Sequence, residues 1–312
     1  LIDQYGMASS EACVIGDENE VWYFEAYSGH QWLAQKVPND CYLVAGNDGL
    51  LGVVDLTDSE NVIASKDLYN LPASHHFAVE VDGKFHAAAT YSKPLDDFAQ
   101  MRTWRGKSYF NPSKYGDYDR NFRFDAVEVP EQKISLQDCF ALFRDRYEDT
   151  EYSADESYDN RPIAVERSNN AHFVEYRGAH APLMWLAVGG QEFSPFLPMY
   201  YNMDNVPNEY AELCKDYDSD SAYWRYRSLG LVAGANRDKY AELVQNNWKD
   251  FETKLIAGLP QMDARYEAAG GTGAAASAIF AEISQASLNN ADDLMQQMSK
   301  MQLDDSKAFE QH

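Results

Sequence analysis

The sequence predicts an α+β fold, on three observations. Runs of alternating apolar and polar residues crowd its first two thirds. A helix signature interrupts them near residue 135, and after Ser219 the apolar period changes from two to that of a helix. Leu1–Gly6 reads as the end of a helix with Gly6 just past its last turn. The stretch from Ser9 to Asn47 then reads as a core sheet of three or four strands. Ala12–Gly16, Val21–Tyr27, His30–Val37 and Cys41–Ala45 are separated by turn residues at Asp17–Glu20, Gly29 and Pro38–Asp40.

Residues 48–130 form a loop-rich insertion. It contains a hairpin, Phe77–Val81 and Phe85–Thr90, because Asp82-Gly83 supplies two positive-φ turn positions. Met101–Lys107 is a basic and aromatic run in an acidic chain, expected as a surface or interface patch, with reception of a carboxylate as the sharper reading. In residues 131–202, Ser135 is placed to cap a helix with Asp138 three residues on, and Leu136, Cys139, Leu142, Phe143 and Tyr147 share one face. Glu148–Asn160 is an acidic, solvated loop. Two hairpins are expected after it: Arg161–Val165 with His172–Arg177, and Met184–Val188 with Phe193–Tyr201, where Pro195 and Pro198 mark an edge or a bulge. Residues 203–312 are helical, over Ser221–Leu231, Ala241–Leu255 and Ala274–Met301, with Gly270–Gly273 as a connection. With no repeat and no long linker, residues 1–312 read as a single layered domain.

The chain of 312 residues has 50 acidic against 26 basic side chains, a formal charge of −24. That charge argues against nucleic acid and against an anionic membrane surface as partners, since both need basic footprints. No apolar run approaches the ~20 residues that cross a bilayer. Cys13, Cys41, Cys139 and Cys214 are widely spaced, which fits neither a zinc site nor a disulfide scaffold; buried free thiols are expected, and with them a cytoplasmic location. No metal site is expected from the scattered histidines, and His172 reads as a structural side chain. The sequence has no phosphate loop, dinucleotide fingerprint or serine elbow, so no cofactor is expected.

Tyr5-Gly6, Asn19–Tyr23, Gly29–Trp32, Ala34–Pro38 and Asn47 together resemble the cysteine dipeptidases of the N-terminal-nucleophile hydrolase superfamily. These are the dipeptidase A group, related to secernins and choloylglycine hydrolases. Later blocks agree in order: Arg161–Ile163 with Ser168 and His172, Trp185–Gly189 with Pro198 and Tyr200, and Ser221–Trp224 with Arg227, Leu229 and Gly230. The resemblance implies a four-layer αββα sandwich, incomplete at its N-terminus and followed by a helical part. It also implies amide hydrolysis by a cysteine that is residue one of the mature chain and whose α-amine is the base.

Leu1 is not such a residue. The resemblance therefore implies the larger part of a cysteine-type dipeptidase, inactive alone, whose nucleophile comes from a missing N-terminal segment or a separate chain. Its partner would be a short peptide substrate, and a homo-oligomer is compatible with it. Two alternatives stay open: a non-catalytic binding or assembly protein on the same scaffold, and an amidase acting on another acylated amino acid.

Three site residues follow from the resemblance. Asn47, after the fourth strand, is expected to donate to the oxyanion, against a plain reading of Asn47-Asp48-Gly49 as a turn. Arg161 is expected to pair with a substrate carboxylate or to form a structural ion pair. Arg123 is a weaker substrate-binding candidate. Cys13, inside a strand, is expected to be packed rather than nucleophilic.

Overall fold

The computed structural model describes residues 1–8, 11–157, 160–211 and 216–310, with side chains to Asp304. Cys214 and part of the acidic loop, Tyr158 and Asp159, lie outside the described residues. The chain is mixed α and β, with antiparallel sheets and a helical C-terminal part. It forms two compact units, Leu1–Ser135 with Tyr147–Pro162, and Leu136–Arg146 with Ile163–His312.

The first unit opens with a single turn, α1 (Ile2–Tyr5), closed by Gly6 at φ 71°. Strands β1 (Glu11–Gly16), β2 (Val21–Ala26) and β3 (Trp32–Val37) follow as an antiparallel meander. Asp17 turns the first hairpin by accepting the amides of Asn19 and Glu20. The expected fourth strand shrinks to β4 (Tyr42–Leu43) and leaves this sheet. The reason is occupancy: β5 (Val62–Ala64) takes the free edge of β3, and Ser65 Oγ accepts the Trp32 amide, giving the order β1-β2-β3-β5. β1 is the other edge, and all six of its residues are exposed.

The insertion departs further from expectation. After α2 (Asn70–Ser74), the hairpin keeps its Asp82-Gly83 turn, at φ 52° and 72°, but only two residues a side: β6 (Glu80–Val81) and β7 (Lys84–Phe85). His86 Nδ1 accepts the Ala89 amide and so caps α3 (Ala87–Tyr91), converting the expected strand into a helix of alanines. Met101–Lys107 is not a surface patch. It lies inside α4 (Asp97–Phe110), capped by Asp96, and Met101, Trp104 and Lys107 are buried. Because Gln100, Thr103 and Lys107 are also buried, no apolar period announced this helix. Lys107 is neutralised by Glu128 on β8 (Val127–Glu128), which pairs with β4. In the acidic loop, Ser153 and Ala154 are buried rather than solvated.

The second unit begins with α5 (Leu136–Arg144), whose buried residue is Phe140, stacked 4.8 Å from Phe196. Arg161–Val165 is not a strand: Pro162 has no amide to pair, Val165 N turns back to Ile163 O, and Ala164 N bonds Asp145 O. The hairpin is instead β9 (Asn170–Arg177) with β10 (His180–Val188) about Gly178, followed by β11 (Leu197–Tyr200). The sheet order is β11-β10-β9, so Pro198 sits on an edge strand, where a missing amide costs no ladder bond.

After the short α6 (Asn208–Ala211), the long helices α7 (Ala222–Ala235), α8 (Arg237–Ala268) and α9 (Gly273–Glu310) pack around Tyr226, Trp248, Leu288 and Met298. Gly270 and Gly271, both at positive φ, make the connection between α8 and α9. Two ion pairs hold α8: Arg144 at the end of α5 to Glu252, and Arg177 on β9 to Asp263, each through two nitrogens. Among the described residues, no helix is long and apolar enough to cross a membrane.

Candidate active site

Asn47 lies in the first unit, on the wall of a cavity of about 840 Å3 lined also by Cys13, Val14, Glu25, Tyr27 and Ser92. The segment that carries it is fixed on every side. Gly46 N donates to Thr103 Oγ1 at 2.8 Å, and a Cβ on Gly46 would stand 2.1 Å from Ala99 O, so backbone lies directly on helix α4. Asp48 Oδ2 accepts the Asp96 amide at 2.9 Å. Ala88 N donates to Leu51 O, and Ala87 N to Gly52 O, which joins the segment to α3.

Asn47-Asp48-Gly49 is therefore not a free-standing turn. Gly49 has no positive φ; it is required because a Cβ would meet Ser92 Oγ at 2.1 Å and Ala88 Cβ at 3.1 Å.

The fourth side is held by Glu25. Its carboxylate, 2% exposed, accepts four hydrogen bonds: Oε1 from Leu50 N at 2.6 Å and Tyr23 Oη at 3.1 Å, and Oε2 from Tyr27 Oη at 2.9 Å and Leu51 N at 3.1 Å. Burial pushes the Glu25 carboxyl above its ordinary value, and the four donors pull against that. The Tyr27 ring stacks on Tyr91 at 5.3 Å, and Tyr91 donates to Leu68 O, so this wall of the cavity is packed as well as hydrogen-bonded. The signal for Glu25 was present in the sequence: Tyr23, Glu25 and Tyr27 fall on one face of a strand, a carboxylate between two phenols on the buried side.

Two oxygens on the cavity wall, Asp48 Oδ1 and Ser92 Oγ, are buried without a hydrogen-bond partner among the described residues. Asp48 Oδ1 has the Lys93 ammonium 3.6 Å away, beyond hydrogen-bond reach. Burial raises the Asp48 carboxyl.

Arg123 does not line this cavity. It lines a second one of about 20 Å3, room for about one water, together with Asp48, Gly49 and His86. Asp48 and Gly49 thus border both spaces. Burial, and then the charge of Arg123, hold the His86 imidazole down at about 4, so it is neutral at physiological pH and can accept the Ala89 amide.

Arg161 is outside both linings. Its guanidinium sits 5.1 Å from the centre of the Phe98 ring, and among the described residues no carboxylate pairs with it. His172 is exposed on β9, 3.2 Å from Asn170 Oδ1.

The cysteines differ from one another. Cys13 is exposed on β1 and lines the Asn47 cavity, which corrects the expectation of a packed thiol. An edge strand with neither face covered offers it nothing to pack against. Burial pushes the thiols of Cys41 and Cys139 up, Cys139 to about 11. Among the described residues, no group of three or more acidic, histidine or cysteine side chains could hold a metal ion.

The model of peptidase family C69 matches residues 1–250. Among curated proteins, the chain is similar to "Probable dipeptidase B" of Streptococcus pyogenes serotype M18, 28% identical over 82% of this chain and 56% of that protein. It is also similar to "Dipeptidase A" of Lactobacillus helveticus, 27% identical over 82% and 56%. "Probable dipeptidase" of Latilactobacillus sakei is 27% identical over 74% of this chain and 51% of its own length. The chain spans about half the length of the curated relatives it matches.

Proposed function

The chain belongs to peptidase family C69, and from that premise we propose that it is the larger part of a cysteine-type dipeptidase whose amide-polarising residue is Asn47. The observation that carries this reading is the mounting of Asn47: a carboxamide on the wall of a peptide-sized cavity, on a segment that three elements hold still. Preorganised donors stabilise a developing oxyanion because they need no rearrangement as the charge forms, and one such donor contributes roughly 3 kcal/mol.

In the proposed reaction a thiolate attacks the peptide carbonyl carbon, and the carbonyl oxygen takes the charge opposite the Asn47 amide. The C–N bond then breaks, the amine leaves with a proton, and water hydrolyses the thioester. The nucleophile is placed in polypeptide outside these 312 residues, as an N-terminal cysteine whose own α-amine receives the thiol proton. The described thiols support that placement. Cys41 and Cys139 have raised pKa values, and Cys13 sits within β1, where its backbone nitrogen belongs to a peptide bond and is no free amine.

A polar, zwitterionic substrate suits Ser92 Oγ, which has no hydrogen-bond partner among the described residues, and the Asp48–Lys93 ion pair on the same wall. Arg161, which pairs with no carboxylate among the described residues, and Arg123 are kept as the candidates for the substrate carboxylate. The proposed scaffold is the αββα sandwich in one domain, and the proposed location is the cytoplasm.

The test is hydrolysis of unblocked dipeptides by the full natural polypeptide that carries these residues. Asn47→Ala should lower kcat about 100-fold or more, with KM within about threefold. Equal loss through KM would remove the oxyanion role. Binding of dipeptide with no turnover at all would favour the non-catalytic scaffold.

A further inference from the structure

Glu25 offers no route for catalysis of its own: it is a carboxylate buried under four donors, on the strand next to the Asn47 segment. Its geometry is nevertheless exacting. Two of its donors are the consecutive amides of Leu50 and Leu51, which follow Asn47 by three and four residues, and each goes to a different carboxylate oxygen. The other two are the phenols of Tyr23 on β2 and of Tyr27 just past its end, two residues to either side of Glu25, which occupy the remaining lone pairs.

All four partners donate, so only a group with two accepting oxygens satisfies the set. A carboxamide cannot, because whichever way it is turned its NH2 faces the backbone N–H of Leu50 or Leu51, which can only donate. Burying an ionised carboxylate is costly unless its hydrogen bonds are complete, and completeness here depends on the Asn47 segment lying in this one position.

We propose that Glu25 is the positioning residue of the site: its carboxylate clamps the Leu50 and Leu51 amides and thereby fixes where the Asn47 carboxamide stands against the reacting carbonyl. This rests on the oxyanion reading of Asn47. Glu25 acts through that segment and touches no reacting atom. Misplacement of a donor weakens the transition state more than the ground state, so the expected signature is in kcat.

The experiment is a double-mutant cycle in the full natural polypeptide, assayed on an unblocked dipeptide such as alanyl-alanine, with Glu25→Gln, Asn47→Ala and the pair. Glu25→Gln should lower kcat about 10- to 50-fold with KM within about twofold. It should also speed hydrogen exchange at the Leu50 and Leu51 amides while leaving exchange in β3 unchanged. In the Asn47→Ala background the same change should cost less than about threefold, since the donor it positions is gone.

A kcat unchanged by Glu25→Gln, beside a large loss in Asn47→Ala, would overturn the positioning role and leave the oxyanion reading standing. So would losses that multiply in full in the double variant, which is what general destabilisation gives. An Asn47→Ala variant with unchanged kcat would overturn both. If Glu25→Gln does not fold, Glu25→Asp keeps the charge and withdraws it by one methylene. The same split between kcat and KM is then expected at about fivefold, and a loss in KM alone counts against the proposal.

Discussion

Lys107 Nζ lies 2.9 Å from Glu128 Oε2, with the Lys107 side chain wholly buried and that of Glu128 6% exposed. The ammonium also donates to the carbonyls of Asp125 and Ala126, and stands 4.8 Å from the centre of the Tyr42 ring. Glu128 in turn accepts from Tyr115 and Tyr42 and pairs with Lys114. The cluster ties α4 to the β4–β8 pair, immediately before the segment that carries Asn47. Lys107→Met should lower the unfolding free energy by ~3 kcal/mol, because it leaves a buried carboxylate short of its partner. A urea melt checks this, and a change under about 0.5 kcal/mol would mean the pair is no anchor.

Gly46→Ala is expected to be worse than its size suggests. The new Cβ meets a backbone carbonyl of α4, Ala99 O, at 2.1 Å, and neither chain can yield without losing the Gly46–Thr103 hydrogen bond. A loss of about 2 kcal/mol in stability is expected, with the kcat of the proposed dipeptidase reaction down at least ~10-fold from displacement of Asn47. Gly83→Ala, at an open turn with φ 72°, serves as the control: it strains the backbone but should spare kcat.

The Asp263 carboxyl should make the second unit acid-sensitive. Burial opposes its ionisation, but two bonds from Arg177 and one from Tyr200 outweigh it and hold the group below the ordinary aspartate value. The sign follows: the stabilisation is complete above the unfolded pKa and is lost as pH falls through the lower folded value. Urea midpoints of the native chain and Asp263→Asn should differ clearly near neutral pH and converge as the pH falls through the lowered folded value. A gap that is constant with pH would mean that the charge plays no part.

Thiol reagents should separate Cys13 from Cys139. Cys13 is exposed on β1, whereas burial raises Cys139 to about 11 and leaves little thiolate at neutral pH. In the 312-residue chain, iodoacetamide should modify Cys13 at least ~10-fold faster, as peptide mass mapping over time would record. Comparable rates would mean that β1 is covered.

Much of this could be read from the residues. The period-two runs gave the β1–β2–β3 meander, and the change of period after Ser219 gave the three long helices, because burial on one face imposes those periods directly. What escaped was decided by partners far along the chain. Cys41–Ala45 failed as a fourth strand because Val62–Ala64 had taken the edge of β3. Helix α4 is hidden in the sequence because its buried face includes Lys107, Thr103 and Gln100, each bonded to a group outside the helix. The role proposed for Asn47 comes through resemblance, since the residues alone read there as a turn. The strand shows Glu25 between two phenols, but not that it holds the amides of Leu50 and Leu51, which lie 25 and 26 residues further along.

The division of labour around the large cavity has a practical side. Residues 46–52 are locked by glycines without room for a Cβ and by backbone hydrogen bonds, whereas Cys13, Val14 and Ser28 line the same space from an uncovered strand and the bend after β2. On the proposed dipeptidase reading, libraries meant to widen or narrow the range of accepted side chains belong at those three positions, where variation can reshape the chamber without disturbing the segment that holds Asn47.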